Sequence, residues 1–227
     1  MKVLKVVVEG STEEAFVNGV LRKHLAQFEI YVYCRKIQTG WDAKNKKPAK
    51  GGLLKYSKFR KDITNWIEEK DERDKIYFSS FIDLYAFPTG SESPFTERIQ
   101  NIIDPYVKVV ALEEAIKKDI NCLFFIPYIQ LHEFEAFLLV KPDNLLIMYP
   151  EKEREVERLM SDINNLEPEK INETPLNAPS KRIIKYIPEY EGQKAQVGPL
   201  VAENIGIETL RIACPHFNEW LSKIERL

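Results

Sequence analysis

The hydrophobic pattern at the start of the chain changes from a continuous run to a helical period. Residues 2–8 are rich in β-branched residues, which predicts a buried strand, and residues 12–27 carry apolar side chains at helical spacing. Ser11, with Glu14 three residues later, matches a capping box and predicts where that helix begins. The first unit of the fold is therefore predicted to be a strand followed by a helix.

Strand and helix patterns continue to alternate up to about residue 141. Loops that contain Gly and Pro separate them. This order indicates an α/β fold, Toprim-like or Rossmann-like, with a mostly parallel sheet flanked by helices. The predicted strands are 30–37, 75–82 and 121–129, the predicted helices are 59–70 and 96–119 with a break near Pro105, and the longest loops are 38–58 and 84–96.

The pattern is different after residue 141. Residues 151–173 are highly charged with a helical period, two proline-containing loops follow, and residues 217–227 are amphipathic. No strong strand pattern occurs in this part. We therefore predict two parts, an α/β domain over 1–141 and a helical C-terminal extension over 142–227 that packs on it.

Composition narrows the class of protein. The 227 residues are 44% hydrophobic, enough for a sizeable core, and the formal net charge is −2, so attraction to nucleic acid requires a local basic surface. The chain has three cysteines, Cys34, Cys122 and Cys214. Their spacing does not match a zinc site, and their odd number argues against a disulfide framework. No apolar run reaches membrane-spanning length, so we expect a cytoplasmic protein with no membrane partner.

Acidic residues follow the predicted strands where each strand ends. These residues are Glu9, Asp83, Glu133 and Glu135. Ligands of open α/β sheets bind beyond the carboxyl ends of the strands, and carboxylates clustered there repel one another unless a cation neutralises them. Mg²⁺ or Mn²⁺ is the predicted occupant, because both ions prefer oxygen ligands. Glu13, four residues after Glu9, is a candidate ligand of a second ion.

Each of these acids also has a purely structural interpretation. Glu13 and Glu14 suit a helix N-terminus because the helix dipole favours negative charge there. Asp83 suits a turn before a proline-containing loop. Glu133 and Glu135 suit exposed positions at the start of a helix whose apolar residues face the core. The repeated position at strand ends is what favours a site.

The histidines add little to the metal prediction. His132 is more typical of a hydrogen-bonding residue than of a metal ligand, and His24 and His216 have no supporting neighbours in the sequence. The carboxylates therefore carry the prediction.

A basic segment follows the second predicted strand. It has no acidic residue between positions 44 and 61, and the nearby aromatic residues Trp41 and Tyr56 are candidates for stacking on bases. We predict nucleic acid as a partner of this segment, the alternative being a solvated loop. Its basic residues are Lys44, Lys46, Lys47, Lys50, Lys55, Lys58, Arg60 and Lys61.

Several motifs in one order resemble a bacterial family of Toprim-like proteins of unknown function. The resemblance runs nearly from end to end of the chain. The motifs are VEGSTE at 8–13, FIDLYAFP at 81–88, PYIQLHEFEA at 127–136, APSKR at 178–182 and CPHF at 214–217.

Toprim domains occur in topoisomerases, primases and the overcoming-lysogenization-defect nucleases. They share a glutamate after the first strand and an Asp-x-Asp pair after a later strand, and these residues bind divalent metal. The resemblance matches Glu9 to the glutamate and Asp83 to the first aspartate, whereas Tyr85 stands where the second aspartate is expected. Tyrosine is a poor ligand for a hard cation at neutral pH.

The overcoming-lysogenization-defect class implies further site residues. Its first motif has a second glutamate, matched by Glu13, and it has a further acidic motif similar to Glu133-x-Glu135. It also has a late lysine, for which Lys181 and Lys194 are both candidates.

The resemblance implies a metal-dependent phosphodiester hydrolase, a nuclease acting on DNA or RNA, with a role in anti-phage defence. Two alternatives stay open. One is a degraded, non-catalytic Toprim-like subunit that regulates a chromosome-maintenance-like ATPase, since this chain has no GxxxxGK[ST] motif of its own. The other is a small-nucleotide phosphohydrolase that uses the same ions.

Overall fold

The structure is a computed structural model. The model describes residues 1–37, 55–69, 75–85, 87–171 and 175–227. It also describes the backbone of a short antiparallel strand pair, Trp41–Asp42 and Lys47–Pro48.

The central sheet is parallel throughout the part that the structure describes. Its strands are β1 Lys2–Val8, β2 Ile30–Lys36, β3 Lys75–Asp83, β4 Phe125–Ile126 and β5 Ile129–Gln130, in the order β2-β1-β3-β4 with β5 also on β3. Strand β1 pairs with β2, with Val8 opposite Lys36, and with β3, with Val8 opposite Phe81. On its other side β3 pairs with β4 and then with β5.

The strand predicted over 121–129 is two short strands, β4 and β5. Pro127 lies between them, and proline has no N–H to contribute to a sheet. Both pieces follow the edge of β3, with Phe125 opposite Phe78 and Ile129 opposite Ile82. The other three predicted strands are confirmed, and their ends match the predictions to within one residue.

The helices flank the sheet. The first helix begins with α1 (Ser11–Phe16), passes through a π-helical turn at Val17–Leu21 and continues as α2 (Arg22–Leu25). The break predicted near Pro105 separates α4 from α5. The remaining helices are α3 Tyr56–Glu68, α4 Glu97–Gln100, α5 Pro105–Ile120, α6 Glu153–Asp162, α7 Pro179–Tyr186, α8 Lys194–Ile205, α9 Ile207–Ala213 and α10 Pro215–Glu225.

The capping prediction was wrong in its residues. Glu13 accepts a hydrogen bond of 2.8 Å from the backbone N–H of Gly10, which is the N-cap. Glu14 instead pairs with Lys36 at 2.9 Å, so the box predicted from Ser11 and Glu14 is displaced by one residue. The displacement turns Glu13 into the interior, where it is 6% exposed.

The sheet separates two apolar clusters because successive side chains of a strand point to opposite faces. Leu4, Val6 and Val8 of β1 face one cluster, and Val7 faces the other. On β3, Phe81 lies on the first face and Ile82 on the second. Helices α3 and α5 cover the second face through residues such as Phe59, Ile63, Val109, Leu112 and Ile116.

The C-terminal helices cover the first face together with α1. Phe217 of α10 packs on Phe16 of α1 and on Phe137, with ring centroids 6.4 and 4.8 Å apart. Trp220 stacks on Tyr128 at 4.5 Å, and such aromatic pairs contribute about 0.5–1.5 kcal/mol each beyond their buried area. The predicted helical extension thus shares one core with the sheet, and a domain boundary between 141 and 142 stays a prediction.

The charged helix predicted over 151–173 ends at Asp162, and a short 3-10 turn at Pro168–Lys170 follows. That turn places Glu169, which is fully buried, at the start of α10. Its carboxylate accepts hydrogen bonds from the backbone N–H groups of His216 (2.9 Å) and Phe217 (3.0 Å). A carboxylate at a helix N-terminus satisfies N–H groups that have no partner within the helix.

His24 and His216, which have no supporting neighbours in the sequence, each lie beside a glutamate in the fold. His216 Nε2 lies 3.0 Å from Glu113 Oε1, and His24 Nε2 lies 2.7 Å from Glu225 Oε1. These partners are distant in sequence, so no local pattern could predict them.

Among the described residues, no helix is both long enough and apolar enough to cross a membrane.

Candidate functional site

The carboxyl ends of β1 and β3 bring the first two predicted acids together. The strands are adjacent and parallel, so the residues that follow Val8 and Ile82 emerge at one edge. The Glu9 carboxylate accepts a hydrogen bond of 3.3 Å from the Asp83 N–H, and the Glu9 N–H donates to Phe81 O at 3.3 Å. Glu9 and Asp83 are therefore neighbours through backbone pairing.

Asp83 points to the same face of the sheet as Phe81, two residues before it. Its Oδ1 atom is buried and has no hydrogen-bond partner among the residues that the structure describes. Burial raises the pKa of Asp83 well above its usual range, and the nearby carboxylates of Glu13, Glu9, Glu135 and Glu133 raise it further. An unpaired buried carboxylate oxygen costs free energy, and ligand binding removes that cost where the ligand supplies a partner.

Glu13 enters the same space from the first turn of α1. Burial raises its pKa to about 7, the charges of Glu9 and Glu135 act in the same direction, and hydrogen bonding to the backbone opposes them. Gly10 allows the approach, since a Cβ atom there would lie 3.0 Å from Glu13 Oε2. The structure thus brings Glu13 near Glu9 and Glu135, and its role as a ligand stays a prediction.

The segment after β5 brings in Glu133 and Glu135. His132 has a left-handed backbone, with φ of 67°, and its carbonyl accepts a hydrogen bond of 2.9 Å from Tyr85 N–H. Glu133 then accepts 2.9 Å from the N–H of Ser180, at the start of α7. The following 3-10 turn, Phe134–Ala136, directs Glu135 inward, where it is 5% exposed.

Lys194, at the start of α8, is the lysine that reaches the carboxylates. Its Nζ lies 3.2 Å from Glu135 Oε1. Burial raises the pKa of Glu135, and Lys194 opposes this rise. Lys181 is half-exposed on α7, with its Nζ 3.8 Å from Glu191. We define the carboxylate cluster as Glu9, Glu13, Asp83, Glu133 and Glu135. Of the two lysine candidates, the structure brings only Lys194 to this cluster.

Tyr190 was not identified from the sequence. It is fully buried, and its hydroxyl donates to Glu135 Oε1 at 3.3 Å. Helix α8 passes close to it, since a Cβ at Gly198 would lie 3.2 Å from the Tyr190 hydroxyl. The signal in the sequence is weak, because one tyrosine in a 3-10 turn (Pro188–Gly192) gives no periodic pattern.

The carboxylate cluster fits a divalent cation in the type of its donors. Hard cations such as Mg²⁺ and Mn²⁺ prefer carboxylate oxygens, and no described residue forms a competing hydrogen bond with Asp83 Oδ1. As the side chains stand, no three His, Cys, Asp or Glu side chains of the described residues are grouped closely enough to hold an ion. Glu13 and Glu133 accept hydrogen bonds from backbone N–H groups instead, so ion binding requires such carboxylates to exchange these partners.

The predicted nucleic-acid-binding segment is only partly described. Lys44, Lys46 and Lys50 lie outside the described residues, as do the side chains of Trp41 and Lys47. The described basic residues are Lys55, Lys58, Arg60 and Lys61, at the start of α3 and just before it.

The proposed stacking role of Tyr56 was wrong. Tyr56 is 3% exposed, and its hydroxyl donates to Asp119 Oδ2 at 2.7 Å. Arg60 Nε pairs with the same oxygen at 3.0 Å. This part of the basic segment therefore anchors α3 to α5 through Asp119.

Comparison with known proteins gives a family without an assigned activity. No curated protein matches the chain. Among solved structures, it is similar to the C-terminal region of the OLD protein of Xanthomonas campestris pv. campestris, with 13% identity, a TM-score of 0.38, and coverage of 99% of this chain and 98% of that one. The model of a domain of unknown function, DUF4276, matches residues 8–225, and the chain belongs to that family.

Proposed function

We propose that the carboxylate cluster binds Mg²⁺ or Mn²⁺ and that the protein hydrolyses phosphodiester bonds of nucleic acid. The observation that carries this proposal is the buried Asp83 Oδ1 atom, which has no hydrogen-bond partner in the described part of the chain and lies near four other carboxylates. Five acids in one place, of which Glu13 and Glu135 are buried, are unfavourable without a counter-charge, and a divalent ion supplies one.

In the proposed reaction, the oxygen of a water adds to phosphorus and the bond from phosphorus to the leaving ester oxygen breaks. The leaving oxygen takes up a proton, which gives an alcohol and a phosphomonoester. A bound divalent ion would supply charge neutralisation and a more acidic water.

In this proposal, side chains of the carboxylate cluster hold the divalent ion and accept a proton, and Lys194 compensates negative charge. Glu9 and Asp83 are fixed by the pairing of β1 with β3, so their positions depend on the sheet rather than on a loop. A carboxylate of the cluster accepts the proton that the attacking water loses. Lys194, 3.2 Å from Glu135, supplies positive charge for the additional negative charge of the phosphorane transition state.

A non-catalytic role is the second candidate. The hydrogen bonds to Glu13 and Glu133 and the ion pair of Glu135 with Lys194 already satisfy much of the cluster without an ion. In that case the carboxylate cluster binds no ion and has no catalytic role. The protein then acts as a subunit of a larger assembly, for example with an ATPase.

Calorimetric titration with Mg²⁺ and Mn²⁺ separates the two candidates. Wild type is compared with Glu9→Gln and Asp83→Asn, and with Glu14→Gln as a matched control, because Glu14 lies on the same helical turn but pairs with Lys36. We expect binding to wild type and Glu14→Gln and its loss in the other two variants. Hydrolysis of DNA, RNA and free nucleotides is then measured on the same preparations. Equal ion binding by all four proteins, or by none, contradicts the proposal.

A further inference from the structure

Tyr85 is an exposed aromatic residue beside the carboxylate cluster. It lies two residues after Asp83, a distance of at most about 7 Å along an extended chain. Its N–H donates to His132 O at 2.9 Å, which places it next to the residue that precedes Glu133. Tyr85 is 46% exposed, unlike Leu84 before it, which is 8% exposed.

The backbone around Tyr85 is anchored on both sides. Leu84 N–H donates to Gln130 O at 3.0 Å, and Phe87 N–H donates to Leu84 O at 3.2 Å, which closes a turn. Phe87 is buried and contacts the rings of Tyr56 and Phe95. These backbone hydrogen bonds hold the segment that carries the exposed Tyr85 side chain against the ends of the strands.

The ring of Tyr85 has no aromatic contact, and its hydroxyl no hydrogen bond, with any residue that the structure describes. The buried tyrosines near the site differ, since Tyr128 donates to Gln130 at 2.6 Å and Tyr190 to Glu135 at 3.3 Å. An exposed aromatic face that no described residue covers, at the edge of the carboxylate cluster, is suited to a flat ligand.

We propose that Tyr85 stacks on the base next to the phosphate that is hydrolysed, so that the substrate is single-stranded nucleic acid. This inference rests on the proposed function. In a duplex, both faces of a base are covered by its neighbours, whereas an unpaired base has a face free for an aromatic side chain. Stacking requires the ring and not the hydroxyl, so phenylalanine is an adequate replacement.

The matched control is Tyr33, which is 52% exposed on β2. The side chains that precede and follow it on that strand, Val32 and Cys34, belong to the first apolar cluster, so Tyr33 points to the opposite face of the sheet from Phe81 and Asp83. Tyr33→Ala removes an exposed tyrosine of similar accessibility without touching the carboxylate cluster.

The test measures three properties of wild type, Tyr85→Ala, Tyr85→Phe and Tyr33→Ala. The first is Mn²⁺ affinity by calorimetry. The second is binding of fluorescent 12-nucleotide single-stranded DNA, single-stranded RNA and blunt duplex DNA of one sequence in the presence of Ca²⁺. The third is hydrolysis of the same oligonucleotides with Mg²⁺.

We expect Tyr85→Ala to weaken single-strand binding by about tenfold or more, as removal of one stacked base does. Its Mn²⁺ affinity and its duplex binding stay unchanged, and Tyr85→Phe and Tyr33→Ala behave as wild type. The DNA and RNA arms show which sugar the site accepts. Normal single-strand binding by Tyr85→Ala, or a preference of wild type for duplex, overturns this inference while leaving Mn²⁺ binding and the proposed function intact. Failure of wild type to bind Mn²⁺ overturns both.

Discussion

Lys194 and Glu135 form a partly buried ion pair, with Nζ and Oε1 3.2 Å apart, at the point where α8 begins beside the carboxylate cluster. They are 59 residues apart in the chain, and they meet because α8 packs against α1 and against the segment after Phe137. The pair holds one positive charge beside several acids. It links the sheet end to the C-terminal helices.

Replacement of Lys194 tests its role in the proposed reaction. We expect Lys194→Met to lower kcat/KM for hydrolysis by about 100-fold, since charge stabilisation of the transition state is lost. Lys181→Met is the control, because Lys181 Nζ lies 3.8 Å from Glu191 and away from the cluster. Steady-state kinetics on the same oligonucleotide provide the measurement. Equal losses in both variants would argue against a specific role of Lys194.

The pKa of Glu13 predicts a pH dependence of stability. Burial raises this pKa to about 7 from an ordinary value of 4.5, so between these pH values the folded state binds more protons than the unfolded state. The free energy of unfolding contributed by Glu13 is therefore present below pH 4.5 and falls as the pH rises to about 7. Asp83 and Glu135 shift in the same direction.

Urea denaturation in EDTA at pH 5 and pH 8 measures this effect. We expect Glu13→Gln to lose less stability than wild type over this interval, by about 1 to 3 kcal/mol. Added Mg²⁺ stabilises wild type more at pH 8 than at pH 5, because ion binding requires deprotonated carboxylates. Identical pH profiles of the two proteins would contradict the burial of a protonated Glu13.

Gly198 provides a test of how closely α8 packs on the site. A Cβ atom there would lie 3.2 Å from Phe134 Cε1 and from the Tyr190 hydroxyl, and 3.3 Å from Thr12 Cγ2. Gly198→Ala is expected to lower the free energy of unfolding by about 1–3 kcal/mol, because the core must move to accept a methyl group. Gly192→Ala, which meets nothing within 4 Å among the described residues, is the control. Equal stability of the two variants in urea would show that α8 packs more loosely.

Glu169 is expected to hold the start of α10. Glu169→Ala removes the acceptor of the His216 and Phe217 N–H groups, both buried, and should lower the free energy of unfolding by about 2–4 kcal/mol. Glu167→Ala is the control, since Glu167 is exposed and pairs only with Lys170 at 2.8 Å among the described residues. Tryptophan fluorescence, to which the buried Trp220 contributes, follows the transition, and a small effect of Glu169→Ala would contradict the anchoring role.

The sequence was sufficient to predict the sheet and the acids at its strand ends, because period and position in a strand are local properties. Glu9 comes directly after β1, and Asp83 is the last residue of β3. The choice of Lys194 over Lys181 was not predictable, because it depends on how α8 packs against α1. Partners such as His216 and Glu113, 103 residues apart, also arise only from tertiary packing.

The errors have physical causes as well. The capping box moved from Glu14 to Glu13 because the Gly10 N–H, one residue earlier than expected, became the donor. Tyr56 is an aromatic residue within a basic segment, which is typical of a nucleic-acid contact. It is buried instead, and its hydroxyl donates to Asp119 on a helix remote in sequence. Local pattern does not distinguish an exposed aromatic residue from one that packs against a partner remote in sequence.

Anomalous diffraction from a crystal soaked in Mn²⁺ tests the central claim most directly. The account predicts an ordered Mn²⁺ bound by Asp83 Oδ1 and a Glu9 oxygen, with no such ion in a crystal of Asp83→Asn. A fully soaked wild-type crystal with no Mn²⁺ at these oxygens would contradict it.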